Sequence, residues 1–529
     1  MSLSIIVVGG GAMGAGIAAV AARAGFTVTL VEPDPSARAR IDETLAKVAK
    51  RANDPALSSR VNVVGEIPAI SDAALAIEAV PEQLELKRAV FAQLAVALPP
   101  TALLATNTSS LSVEAIAEGV SFPERALGLH FFNPPQAMEL VEIVPTEATG
   151  DAELALAHDY VSKFGKTAVE AADTPGFIVN RVARPFYLQS LAALELDLAP
   201  IEDLDALARG VGFAMGPFEL MDLIGLDVNL ATSESIYERT GAARLAPSDL
   251  QRDLVARGRL GRKSGAGFYE YPAATPAPAR EVPADLPVPA LNVDERVVLT
   301  GFAPLGDELD ELLAQRFEHF ERIQNDDHLS DIPPTTTIVV DVGDATSDRL
   351  NAILELDRAL PPSTTIFVDA YVTDLDACVR RMAHPERLVG YGILGALERQ
   401  RVVEIVDTDV VSDDILALSE GFFEALGVRT ILVENQPGLF LGRVVGSIVN
   451  EAVIVVDAGV ATMDDVDEAM RLGVNYPIGP FAWGAEIGGA RIARILGLVA
   501  KAYGEELGPH RALWVLDVDE EKAEQLADA

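Results

Sequence analysis

Residues 4–32 read SIIVVGGGAMGAGIAAVAARAGFTVTLVE, and this stretch decides the fold. A short apolar, β-branched run from Ser4 to Val8 leads into Gly9, Gly11 and Gly14. A helical apolar pattern follows to Ala24, Gly25 closes it, and Thr27 to Val31 form a second apolar run ending in Glu32. A lone GxGxxG is a weak signal. Here it follows a strand, opens a helix, and has an acid 18 residues beyond its last glycine. That context is the dinucleotide-binding fingerprint. Gly9 permits the tight turn, and Gly11, with Ala12 and Met13, brings backbone close to a pyrophosphate at the helix N-terminus. Gly14 lets helix and strand pack closely. Glu32 accepts hydrogen bonds from a ribose hydroxyl and repels a 2′-phosphate, and no arginine follows until Arg38, so NAD is expected rather than NADP. The first apolar run has neither a basic flank nor a small-residue cleavage site, so it is read as a strand and not as a signal peptide.

Working outward, residues 36–51 read as a polar helix. Ala73 to Val80 reads as a strand, followed by Glu82 and a helix carrying Lys87. Leu103 to Thr106 is another strand, running into Asn107, Thr108, Ser109 and Ser110. The apolar run Ala126 to Leu129 ends in His130, and residues 130–142 read HFFNPPQAMELVE. In open parallel sheets the ligand lies beyond the carboxyl ends of the strands. The glycine loop, Glu32, Glu82, Ser109 and His130 all fall at such ends. An imidazole at a strand end, with Glu142 on the next strand, suits proton transfer near neutral pH. Taken alone, the same pattern also describes a satisfied core histidine beside a surface glutamate. Ser109 has a second reading as a helix cap, although Ser112 is the more natural cap for a helix from Val113.

The chain has 529 residues, 49% of them hydrophobic, and is expected to hold several domains. No apolar run reaches the roughly 18–20 residues needed to span a bilayer. One cysteine, Cys378, rules out an internal disulfide and fits a reducing cytoplasm. The formal net charge of −39 argues against nucleic acid and anionic membrane as partners. It reflects either a high-salt cytoplasm or ordinary acidic bias. Any anionic ligand must find local cations against this field, and Lys87 and Lys263 stand out.

From Gly176 onward the periodicity becomes helical. Ile178, Val182 and Phe186 mark one long amphipathic helix, and Ile201–Arg209, Leu220–Ala231 and Ser248–Ala256 suggest others. Asn180, near the start of the first, faces the cleft or makes a capping or interhelical contact. Residues 273–290 are rich in Pro and Ala and read as a linker, and the chain after Trp514 is an acidic tail.

Together these residues resemble the 3-hydroxyacyl-CoA dehydrogenase family. The phrases that carry the resemblance are VVGGGAMGAGIA, EAVPEQLELK, ATNTSSLS, GLHFFNPPQAMELVEIV, DTPGFIVNR, GPFELMDLIGLD and GRKSGAGFYEY, in order over residues 1 to about 272. The resemblance implies NAD-dependent oxidation of (S)-3-hydroxyacyl-CoA to 3-oxoacyl-CoA. It implies that His130 is the base and that Glu142 orients it and stabilises the imidazolium. Ser109 and Asn180 would lie near the substrate's C3 oxygen, and Asn133 at the junction of nicotinamide and substrate. Glu82, Lys87, Asn107 and Lys263 would contact the cofactor, while Thr44 and Arg51 fall where the family contacts coenzyme A. No metal is implied. Short-chain 3-hydroxybutyryl-CoA is the default substrate, and long tandem members also resemble enzymes acting on 3-hydroxyadipyl-CoA.

The second half repeats the first. Leu98-Pro99-Pro100 recurs as Leu360-Pro361-Pro362, an offset of 262 residues, and the same offset pairs residues 123–144 with 385–406 and TPGFIVNR with QPGLFLGR. MGPF and IGPF pair at 263. At this offset His130 becomes Gly392, Asn133 becomes Gly395, Ser109 becomes Tyr371 and Asn180 becomes Gly442, while Glu142 keeps Glu404. The glycine fingerprint is reduced to GFAPLG at 301–306. The expectation is a Rossmann-type NAD-binding domain (1–177) plus an all-α domain (178–272), repeated in tandem as a degenerate Rossmann-like domain (291–437) and a second helical domain (438–515), with a tail at 516–529. The second helical unit would supply within one chain the surface that dimeric relatives use between chains. The chain is then a pseudo-dimer with one active site, alone or as a homodimer.

Overall fold

The computed structural model describes residues 4–51, 53–271, 295–301, 304–323, 329, 331–343 and 349–517. The linker at 273–290, and all but the first two residues of the tail at 516–529, lie outside the described residues. Packing divides the chain into two units. The first comprises residues 1–183, 238–240 and 455–475, and the second holds the rest.

The first unit is built on an eight-stranded sheet. Its strands are β1 (Ser4–Val8), β2 (Thr27–Val31), β3 (Val61–Val64), β4 (Ala73–Glu78), β5 (Leu103–Thr106), β6 (Ala126–Phe131), β7 (Leu140–Pro145) and β8 (Thr167–Glu170). Their order is β3-β2-β1-β4-β5-β6-β7-β8. All neighbours are parallel except β6 and β7, which run antiparallel. The strands are apolar on both faces because helices cover both. One core packs Ile5, Val7, Ile77 and Leu129 with the helix Ala12–Arg23, and the other packs Ile6, Ala76 and Leu104 with the helix Leu84–Ala97.

The second unit contains a seven-stranded sheet: β9 (Arg296–Thr300), β10 (His319–Ile323), β11 (Ile338–Asp341), β12 (Thr365–Asp369), β13 (Leu388–Gly392), β14 (Val402–Asp407) and β15 (Arg429–Glu434). The order is β10-β9-β11-β12-β13-β14-β15, with β13 and β14 antiparallel. This is the first sheet again, without a counterpart of β3 among the described residues. Register repeats as well: His130 lies opposite Glu142, and Gly392 lies opposite Glu404.

Each sheet carries a helix from the other half of the sequence. In the first unit, the helix Met463–Val474 packs on β7, β8 and the short helix Val179–Val182, and the Ala172 N–H donates to the Val460 carbonyl at 2.8 Å. In the second unit, the helix Ile201–Gly210 packs on β14, and the Glu434 N–H donates to the Leu198 carbonyl at 2.9 Å. The two hydrogen bonds are the same contact 262 residues apart, as an isologous pairing requires.

Two helices differ from the sequence reading. The segment beginning at Ile178 is broken into Val179–Val182 and Arg184–Glu195, and the second piece is buried nearly all round rather than amphipathic. Pro185 at its start lacks the N–H needed to continue the ladder. The segment Leu220–Ala231 is two helices, Pro217–Ile224 and Leu226–Thr240, parted at Gly225, whose φ of 104° no helix accommodates.

Candidate functional site

The glycine loop at the end of β1 leads into the helix Ala12–Arg23. Gly9 sits at φ 109°, and a Cβ there would lie 2.5 Å from the Ala79 carbonyl oxygen. A Cβ on Gly14 would lie 1.8 Å from the Gly9 carbonyl oxygen, so no side chain fits between helix and turn. Gly11 faces open space, and the first helical turn has neither a capping side chain nor an acid. Its N–H groups and the positive end of the helix dipole therefore suit an anion. At the end of β2, the Glu32 carboxylate accepts the Gly10 N–H at 2.8 Å and the Asp34 N–H at 2.9 Å. Its further lone pairs suit ribose hydroxyls. Arg38 folds back to the same end, where Nε donates to the Glu32 carbonyl at 2.7 Å. These residues fit a dinucleotide carrying a free 2′-hydroxyl.

Beyond β4 and β5 the structure shows a polar cluster that the sequence reading caught only in part. Glu78, fully buried, accepts Lys87 Nζ at 2.9 Å, the Thr106 hydroxyl at 2.7 Å and the Val80 N–H at 2.7 Å. Lys87 also donates to the Val80 carbonyl and lies 3.2 Å from Glu82. Lys87 is buried with its donors engaged, so it is not the open cation expected for an anionic ligand. The same ion pair recurs in the second half as Arg349 with Asp341. Its persistence there fits a fastening of strand to helix; the available signal was a base 262 residues beyond Lys87 and an acid 263 beyond Glu78. Glu82 accepts the Ser109 N–H at 2.8 Å and the Thr108 hydroxyl at 3.0 Å, which fixes the loop bearing Ser109. Asn107 Oδ1 accepts the Phe131 N–H at 2.8 Å and ties this loop to β6. Ser112, not Ser109, caps the helix from Val113, accepting the Ala115 N–H.

At the end of β6, His130 is buried and its Nδ1 lies 2.6 Å from Glu142 Oε2. The antiparallel register of β6 and β7 sets the two side chains opposite each other. The other oxygen of Glu142, which is fully buried, accepts the N–H groups of Ile178 (3.1 Å) and Val179 (2.9 Å). Phe132 and Phe177 flank the imidazole, with ring centroids 4.5 and 5.8 Å away. A carboxylate at Nδ1 selects the tautomer that donates there and leaves Nε2 as a lone pair able to take a proton. Asn180 follows Val179 on the same short helix, and Asn133 is exposed just beyond β6.

The remaining sequence candidates lie elsewhere. In the helix Pro35–Arg51, the Thr44 hydroxyl donates to the Arg40 carbonyl at 3.0 Å and Arg51 is exposed at the last residue. Lys263 belongs to the second unit, where its ammonium pairs with Asp227.

The equivalent place in the second half is filled. Tyr371 donates its hydroxyl to Glu404, and Glu404 also accepts the N–H groups of Phe440 (2.7 Å) and Leu441 (3.3 Å). A Cβ on Gly392 would lie 3.0 Å from the Tyr371 ring, and one on Gly442 2.8 Å from it. Glu404 thus has a partner after all, a phenol in place of the imidazole. The second glycine loop differs too. Asp307 stands in the first turn of the helix Pro304–Arg316 and pairs with Arg322 at 2.7 Å, placing an acid where the first copy has none.

The family model for the 3-hydroxyacyl-CoA dehydrogenase NAD-binding domain matches residues 4–174, and that for the C-terminal domain matches 176–271 and again 438–525. The chain is 35% identical to a 3-hydroxyadipyl-CoA dehydrogenase of Escherichia coli K12 over 518 residues, 95% of this chain and 94% of the relative. It is 39% identical to a 3-hydroxybutyryl-CoA dehydrogenase of Mycobacterium tuberculosis H37Rv over 278 residues, 50% of this chain and 97% of the relative. The crystal structure of a 3-hydroxybutyryl-CoA dehydrogenase from E. coli K12 superposes with a TM-score of 0.78 at 33% identity, covering 100% of this chain and 99% of that one. Among the described residues no helix is long and apolar enough to cross a membrane. With its glycine loop, its Glu32 and its His130–Glu142 pair, this chain belongs to the 3-hydroxyacyl-CoA dehydrogenase family, NAD-dependent oxidoreductases of hydroxyacyl-CoA.

Proposed function

We propose that the first half oxidises (S)-3-hydroxyacyl-CoA to 3-oxoacyl-CoA with His130 as general base. The observation that carries this reading is the buried His130 Nδ1–Glu142 contact at 2.6 Å. Held in that tautomer, Nε2 takes the hydroxyl proton as the C3–O bond becomes a carbonyl, and the adjacent carboxylate stabilises the imidazolium. NAD supplies the hydride acceptor. Ser109 and Asn180 donate to the C3 oxygen, and in the reverse direction the same donors polarise the carbonyl. Asn133 orients substrate against nicotinamide. Gly9, Gly11, Ala12, Met13 and Gly14 hold the pyrophosphate and Glu32 the ribose. Glu82 and Asn107 shape the nicotinamide side, and Lys263 contacts the cofactor. Thr44 and Arg51 meet coenzyme A.

The second half is structural: a degenerate Rossmann-like domain at 291–437 and a helical domain at 438–515, joined by the 273–290 linker to the working pair at 1–177 and 178–272. The chain is a pseudo-dimer, alone or paired as a homodimer, and works in the cytoplasm, where a free Cys378 stays reduced. Of the two relatives matched over nearly the whole chain, one is named for 3-hydroxyadipyl-CoA and the other for 3-hydroxybutyryl-CoA, and comparing turnover of these two substrates decides the acyl group. His130→Gln should keep NAD affinity and lose about 10²–10⁴-fold in turnover, the usual worth of a general base. Near-wild-type turnover in that variant would refute the role.

A further inference from the structure

The helix Met463–Val474 comes from the half that has lost the redox residues, yet it packs inside the first unit. Its contacts there are β7, β8 and the short helix Val179–Val182. These are the elements that carry Glu142 (on β7), the Val179 N–H that Glu142 accepts, and Asn180. Gly473 lies against these elements. A Cβ there would lie 2.8 Å from Leu140 Cδ2 and 2.9 Å from Val179 Cγ2. Leu140 starts β7 and stands two residues before Glu142. The Ala172 N–H to Val460 carbonyl bond pins the segment before this helix just beyond the end of β8.

Gly473 is buried in a helix and its φ is not positive, so backbone freedom does not explain a glycine here. Alanine is the better helix former. The glycine is accounted for by the absence of space for a methyl group between the helix and the Glu142 support.

We propose that the helix Met463–Val474 of the degenerate half holds Glu142 and Asn180 in register with His130, with Gly473 as the positioning residue at the contact. This rests on the catalytic reading of the first half given above. The degenerate half then contributes packing on which the dyad of the active half depends. An added methyl at 473 presses on the Leu140 and Val179 side chains, which stand on the strand and the short helix that hold the Glu142 carboxylate. A shift of about 1 Å in such a group is enough to cost about 100-fold in rate.

The repeat supplies a control. Gly210 is the counterpart of Gly473, and a Cβ there would meet Val402, the counterpart of Leu140, at 2.0 Å. That contact supports only Glu404, which Tyr371 already occupies. The experiment uses the full-length protein and compares Gly473→Ala with Gly210→Ala for kcat, KM for each substrate, NAD affinity and Tm. Val403→Ala, in the core of the second sheet, replaces the control if Gly210→Ala does not fold. The expected result is a fall in kcat of about 10- to 100-fold for Gly473→Ala with KM for NAD unchanged, against a control of comparable Tm loss whose kcat stays within about twofold. Equal kcat in Gly473→Ala and the control overturns the proposal, as does a Gly473→Ala effect confined to Tm. If Gly473→Ala itself fails to fold, Met470→Ala, which removes a buried side chain from the same helix, is read by the same split. A wild-type chain that turns over no 3-hydroxyacyl-CoA removes the catalytic reading itself, and this inference with it.

Discussion

At the scale of single residues, the two halves hold mutually exclusive sets around one buried glutamate. The first half has Ser109, His130 and Asn180; the second has Tyr371, Gly392 and Gly442 at the same offsets. The Tyr371 ring needs both glycines, since a Cβ at either would press against it. No single back-substitution can therefore rebuild the second site. Burial lifts Glu404 from its ordinary 4.5 to about 7, with the Tyr371 hydroxyl and two backbone N–H groups pulling the other way. The folded chain keeps this proton over a pH range in which the unfolded chain has released it. The group therefore stabilises fully below about pH 4.5, and that contribution is lost as the pH rises through about 7. Glu404→Gln should flatten part of the decline in Tm between those values and leave turnover unchanged. Asp205, also lifted to about 7 by burial, keeps its own share of the slope. Calorimetric Tm values across the range test this, and a slope equal to wild type would count against it.

At the scale of elements, buried carboxylates fasten loops that the chain could not otherwise hold. Asp222 accepts the N–H groups of Phe268 and Tyr269, both at 2.9 Å, and the Tyr271 hydroxyl at 3.0 Å. Asp205 caps the helix Pro217–Ile224 through the Phe218 N–H and receives the Tyr269 hydroxyl. Together they secure the GRKSGAGFYEY loop, which carries Lys263. Burial raises the Asp222 carboxyl, and burial together with the neighbouring Asp222 carboxylate raises the Tyr271 phenol to about 12. Removing the acceptor strands three donors, each costing about 1–3 kcal/mol if left unpaired. Asp222→Ala should speed hydrogen exchange at the Phe268 and Tyr269 amides by at least about tenfold. Unchanged exchange would show that Asp222 does not hold the loop. The motif around this loop was legible as a family phrase, but its fastening was not, because Asp222 lies 46 residues from Phe268 and only folding brings them together.

At the scale of the whole molecule, two copies of one architecture are tied by reciprocal contacts, and only one retains a nucleotide loop free of acid. NAD should bind with a stoichiometry of one per chain, measured by calorimetry, and two equivalent sites would refute the loss of the second. The Rossmann-type fold, the glycine turn, the placing of His130 and Glu142 on successive strands and the repeat itself could all be read from sequence. Each depends on local geometry or on a fixed register: a tight turn demands glycine, and antiparallel neighbours face each other. Three things could not be read this way. Lys87 stood out as a free cation, and folding buried it against Glu78. The Ile178–Phe186 periodicity suggested one amphipathic helix, and the structure broke it at Pro185 and covered all its faces. Most of all, nothing local to residues 463–474 indicates that this helix packs on the strand and short helix that hold the first half's Glu142. Sequence determined what each half is, because turns, strands and registers are set by neighbouring residues. Which half supports which site was decided only by the tertiary structure, because that choice depends on packing between segments about 300 residues apart.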